Sequence, residues 1–157
     1  VILVEGDAEF LLMESFFKTI ASMNFEQSDI HIISVDGTSF KRYLEIAKLL
    51  NIKTAIIRDN DGDYQANCVD NYSDYNGFDY IRVFSVYDPT ISTFEISVYT
   101  NNEEICNDLF SPRRISLTPL QYMLKNKAEA AFQLLDKKSS ELAVPNYIKE
   151  AIEWIRE

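Results

Sequence analysis

The sequence predicts an α/β fold: a parallel sheet core flanked by helices, with additional helices towards the C-terminus. Three observations carry this reading. Val1 to Val4 is a continuous apolar run too short for a helix, as expected of a strand buried on both faces. From Asp7 to about Met23 the apolar spacing changes to three and four residues, with Phe10, Met13, Phe17 and Ile20 forming one helical stripe beside Phe16. The alternation then repeats as far as Ile57, and strand, helix, strand, helix, strand is the pattern of right-handed parallel crossovers.

The second strand is expected at Ile30 to Val35, followed by a turn at Asp36-Gly37. Ser39 suits an N-cap, and Tyr43, Leu44, Ala47 and Leu50 mark a helix over Phe40 to Leu50. Thr54 to Ile57 is the third strand. Asp59 to Phe78 is polar, without a sustained period, and reads as a loop long enough to be functional. Tyr80 to Val86 alternates like a fourth strand, Asp88-Pro89 marks a turn, and Ile91 to Tyr99 is ambiguous between strand and irregular structure. Helices are expected at about Glu103 to Leu109, Pro119 to Lys125, Lys127 to Lys137 and Pro145 to Arg156, with Pro119 and Pro145 in first turns.

The composition fits one globular domain over residues 1 to 157, with 46% hydrophobic and 25% charged residues. No apolar stretch approaches the ~20 residues that cross a bilayer, and the opening residues lack the pattern of a signal peptide. A cytoplasmic protein without a membrane partner is expected. Cys68, Cys106 and the single His31 indicate neither a disulfide framework nor a Cys/His zinc site. No Met opens the chain and a core strand starts at residue 1, so a fragment of something longer is expected.

A net charge of -10 argues, taken alone, against nucleic acid. Much of the excess, however, lies in Asp59 to Asp79 and in Glu5, Asp7, Glu9 and Glu14, where divalent cations would invert the local field. In open α/β sheets ligands bind beyond the carboxyl ends of the strands. Glu5 ends the first strand and Asp59 follows the third. Asp61 would alternate onto the same side of an extended chain, and Glu9 can lean back towards Glu5 across one turn. Converging carboxylates repel unless protonated or neutralised, and an all-oxygen set suits Mg or Mn. Gly6 would permit a tight turn between strand and helix.

The plainer roles are a first-turn acid that complements the helix dipole for Glu9 and a turn former for Asp63. A calcium loop starting at Asp59 is rejected, because Tyr64 and Asp70 stand where Gly and Glu are needed and a strand precedes it. A strand followed by Asp-x-Asp also resembles haloacid-dehalogenase-type phosphatases, with Asp59 as nucleophile, but that leaves Glu5 and Glu9 unexplained.

EGDAE at Glu5 to Glu9 resembles the Glu-Gly-x-x-Glu opening of a Toprim domain, and RDNDGD at Arg58 to Asp63 resembles its Asp-x-Asp motif. The stretch SVDGTSFKRYLEIAKLLNIKTAIIRDNDGD and the later KNKAEAAFQLL look most like the overcoming-lysogenisation-defect (OLD) family of nucleases. The likeness runs through nearly the whole chain. It implies a Toprim fold, an ABC-type ATPase N-terminal to it in the same polypeptide, with ATP bound only there, and DNA cleavage with two Mg²⁺ or Mn²⁺ ions. By the same resemblance Glu5, Glu9, Asp59, Asp61 and Glu95 would be metal ligands, with Thr93 lending an oxygen nearby. Lys127 would stabilise the transition state, with Lys125 as its rival. In such a displacement one ion activates water and the other stabilises the leaving oxygen, ~3.5 to 4 Å apart. Lys41, Arg42, Lys48, Arg113, Arg114, Lys125 and Lys127 could form a groove for DNA, with most of the grip supplied by the ATPase or by a homo-oligomer. The contrasting possibility is a non-catalytic Toprim-like module for assembly.

Overall fold

A computed structural model of the chain describes residues 1–111 and 116–157. Ile2, Leu3 and Val4 form β1 (Ile2–Val4) at the middle of a four-stranded parallel sheet, with β2 (Ile32–Ser34), β3 (Thr54–Ile57) and β4 (Ile81–Phe84) in the order β2-β1-β3-β4. Burial on both faces explains the unbroken apolar run. Ile2 and Val4 enter one core layer with Ala55 and Ile57, while Leu3 and Ile56 enter the other.

The helix α1 (Asp7–Ala21) covers the first face, where it packs against α6 (Lys127–Lys138) and α7 (Asn146–Arg156). Its buried stripe is Leu12, Met13, Phe16 and Phe17, centred differently from the expected one: Phe10 is exposed and Ile20 half-buried. The second helix, α2 (Phe40–Leu50), covers the opposite face through Phe40, Leu44 and Ala47, with Leu50 exposed. Ser39 precedes α2 without a side-chain cap. Because β2 lies on one side of β1 and β3 on the other, the chain reverses direction across the sheet between β1 and β3. The carboxyl ends of those two neighbours are where such sheets bind ligands.

Two regions differ from expectation. Residues Gln65–Val69 form a wide π-type helical turn and Asp70–Tyr75 a tight 3₁₀ turn, not an open loop, because Tyr72 and Tyr75 bury their rings against the α2 layer. The ambiguous stretch is the helix α3 (Phe94–Asn101). The remaining helices are α4 (Glu103–Phe110) and α5 (Pro119–Lys125), the latter opened by a reciprocal Thr118 and Gln121 cap. Arg113 and Arg114 of the expected groove lie outside the described residues. Among the described residues no helix is long and apolar enough to cross a membrane.

Candidate metal centre

The carboxyl edge of the sheet gathers acidic side chains from four elements. Glu5 leaves β1, Asp59 follows β3 by one residue, and Glu9 sits in the first turn of α1. Glu9 is only 6% exposed and Glu95, in the first turn of α3, only 3%. That burial removes the plain surface-acid role for Glu9, since a dipole-complementing carboxylate has no reason to leave water. Gly6 has extended backbone at φ -153°, and an added Cβ would meet Glu9 Oε2 at an ordinary 3.6 Å, so the turn does not require glycine.

Asp61 reaches the site differently from the extended-chain expectation. It has φ 48° and Gly62 φ 84°, so the chain coils back after Asp59 instead of alternating. The coil is held by Asn60, whose buried amide donates to the carbonyls of Val86, Asp88 and Ile91 and whose Oδ1 accepts from Gly62 N at 2.8 Å. Asp63 is a turn former, accepting from Ala66 N at 3.0 Å. Replacing Asn60 with Ala strips these carbonyls of their donor and is expected to cost ~2–3 kcal/mol. A fall in melting temperature of ~5–10 °C checks this.

The electrostatics follow from crowding. Burial, then the charges of Glu9, Glu5 and Glu95, pushes the Asp59 carboxyl up to about 8. Burial with Glu95 and Glu5 nearby pushes Glu9 up to about 7. Glu5 is also raised by burial, but less freely, because Arg58 opposes the shift. Tyr147, buried on α7 beside Asp59 and Glu9, has its hydroxyl pushed far above the ordinary range, chiefly by burial.

Among the described residues, two cations answer this charge. Lys127, the first residue of α6, brings Nζ to 3.1 Å from Glu95 Oε2. The ammonium serves Oε2, while among the described residues the buried Glu95 Oε1 has no donor. Burial alone would lower the Lys127 pKa, yet Glu95, Asp59 and Glu9 together raise it. Lys125 is exposed, with no ion pair among the described residues. Arg58 is the second cation, its Nη1 at 2.6 Å from Glu5 Oε2 and its Nη2 at 2.6 Å from Asp61 Oδ2. Sequence reasoning took Arg58 only as the flank of a motif; an arginine directly after an apolar strand and before two aspartates was the available signal.

Thr93 serves α3: its hydroxyl accepts from Ile96 N at 3.4 Å and its carbonyl from Ser97 N at 3.0 Å. Lys48, expected in a DNA groove, pairs with Glu45 and lies over the rings of Tyr75 and Phe78. Among the described residues, no three His, Cys, Asp or Glu side chains are drawn together as tightly as a bound ion would draw them. Arg58 and Lys127 occupy oxygens that an ion would take. The donor chemistry nevertheless fits a hard divalent cation: the candidate donors are all carboxylate oxygens, and among the described residues the buried Glu95 Oε1 lacks a donor.

Residues 1–61 match the family model described as "Overcoming lysogenization defect protein-like, TOPRIM domain". Comparison with curated proteins yields no match. Among solved structures, the C-terminal region of the Xanthomonas campestris pv. campestris OLD protein is 23% identical, with a TM-score of 0.66 over 99% of this chain and 92% of that one. The C-terminal region of the Burkholderia pseudomallei OLD protein is 19% identical, with a TM-score of 0.69 over 99% of this chain and 95% of that one. At these identities the likeness is one of fold.

Proposed function

We propose that this chain, OLD-like Toprim in its first 61 residues and OLD C-terminal in fold throughout, is the nuclease domain of an ATPase-nuclease and cleaves DNA with divalent metal ions. The observation that carries the reading is the meeting of Glu5, Glu9, Asp59 and Glu95 with Lys127 at the carboxyl edge of neighbouring parallel strands. Glu5, Glu9, Asp59, Asp61 and Glu95 would hold two Mg²⁺ or Mn²⁺ ions. Thr93 contributes by fixing the start of α3, and with it Glu95. When bound, the ions supply an activated water and stabilise the leaving oxygen.

The protein's own residues do the rest. Asp59 and Glu9 have proton affinities high enough to exchange a proton for a cation near neutral pH. Lys127 stands half-exposed at the rim, where a flexible ammonium can turn from Glu95 towards an equatorial phosphoryl oxygen. The surrounding net charge of -10 gives weak intrinsic DNA affinity, so an N-terminal ATPase portion or a second copy supplies most of the grip. A cytoplasmic location suits that role.

Incubating supercoiled plasmid with the chain in Mg²⁺, Mn²⁺, Ca²⁺ or chelator tests the reading. Nicking or cutting is expected with Mg²⁺ and Mn²⁺, little with Ca²⁺, whose larger and looser shell positions water poorly, and none in chelator. Equal cleavage in chelator would refute the mechanism. Metal binding without any cleavage would leave the assembly module as the better description.

A further inference from the structure

Arg58 divides the acidic cluster into two unequal halves. Its side chain is only 5% exposed, and its terminal nitrogens span two carboxylates that come from different elements, Glu5 at the end of β1 and Asp61 in the coil after β3. Among the described residues its Nε is buried without an acceptor, so the guanidinium is not held by the two-nitrogen fork that usually grips a single carboxylate. It is instead a bridge, with one charge-assisted bond on each side. The other half has no such bridge. Among the described residues, the cation that faces Glu9, Asp59 and Glu95 is Lys127, and that lysine is half-exposed on a flexible stem.

The chemistry of the two cations sharpens the contrast. A guanidinium cannot lose its charge to make room, and a buried one cannot simply swing into water as an exposed lysine can. An ion that approaches Glu9, Asp59 and Glu95 therefore relieves repulsion that little else relieves. An ion that approaches Glu5 and Asp61 has to compete with a cation already bonded to both.

We propose that Arg58 makes the two metal positions unequal, so that one divalent ion binds firmly at Glu9, Asp59 and Glu95 while the ion at Glu5 and Asp61 binds only as Arg58 releases those carboxylates. The inference rests on the metal-dependent reading above. Arg58 is then a positioning residue that acts through Glu5 and Asp61. The freed guanidinium, next to the place where a phosphate must lie, matches that group's paired oxygens.

Titration of the chain with Mn²⁺, followed by calorimetry and by the electron paramagnetic resonance of free Mn²⁺, tests this without any cleavage assay. The wild-type chain is expected to show one firm site and a second that is weaker or undetected. Arg58→Gln removes the competing charge and should tighten the second site by ~10- to 100-fold, the span expected for hydrogen bonds to charged groups. Arg58→Lys keeps a point charge but cannot bridge both carboxylates, and should tighten it by less; it carries the test where the Gln variant does not fold. An unchanged second site in the folded variants, or two equal sites in the wild type, would overturn the inference. No Mn²⁺ binding to the wild type at all would instead overturn the metal-dependent reading on which it rests.

Discussion

In chelator at pH 8, Asp59→Asn is expected to melt at a higher temperature than the wild-type chain, and with Mn²⁺ it should no longer cleave DNA. The Asp59 carboxyl is raised from 3.8 to about 8 by burial and by Glu9, Glu5 and Glu95, with Lys127 opposing. A group whose folded pKa is raised holds a proton in the folded state where the unfolded chain has released it, so its contribution to stability falls as pH rises. For Asp59 the loss runs from 3.8 towards 8 and is complete above that. Glu9 adds a loss of the same sign between 4.5 and about 7. Each pH unit of displacement corresponds to ~1.4 kcal/mol, and Asn carries no charge to repel, so a gain on the order of 10 °C is expected at pH 8. At pH 5 Asp59 is mostly protonated in the folded chain and the difference should narrow. A variant that melts lower than wild type at pH 8 would make Asp59 a structural residue, and cleavage that survives would remove it from the catalytic set.

The unequal legibility of this site has physical causes. Glu5, Glu9 and Asp59 could be read because a carboxylate that ends an unbroken apolar strand, or follows one by a single turn, has few other reasons to be there. Glu95 was reachable only by resemblance. Its neighbours Phe94, Ile96 and Val98 alternate like a strand, whereas α3 forms because Thr93 caps it and because Ser97 and Glu95 are buried along with the apolar residues. A helix that buries both kinds of position leaves no periodic trace. Phe10 misled for the opposite reason: its spacing fits the stripe, but the contact with α6 and α7 is centred on Leu12, Met13, Phe16 and Phe17. Arg58 carried a local signal, an arginine between an apolar strand and two aspartates, whereas Asn60 acts through loop geometry that no local pattern encodes. Asn60 finds its three carbonyls 26 to 31 residues away.

Lys127→Met is expected to slow single-turnover cleavage by ~10² to 10³, by analogy with the loss of one oxyanion donor, while Lys125→Met changes it only a few-fold. Both lysines lie in KNKAEAAF, eight residues of sequence that do not decide between them. Their elements do. Lys125 closes α5 and points to solvent, whereas Lys127 opens α6, and the packing of α6 on α1 carries its first turn to the rim beside Glu95. Methionine keeps much of the aliphatic stem and removes the charge. It also leaves the buried Glu95 without its counter-ion, so metal affinity has to be measured alongside the rate. If Mn²⁺ affinity is kept or increased while the rate falls, the ammonium acts on the phosphoryl group, because loss of a merely structural pair would weaken the site that Glu95 helps to build. A parallel fall in affinity and rate would reduce Lys127 to a support for Glu95. The reverse ranking of the two variants would transfer the role to Lys125, and no effect in either would require the stabilising cation to come from another domain or a second copy of the chain.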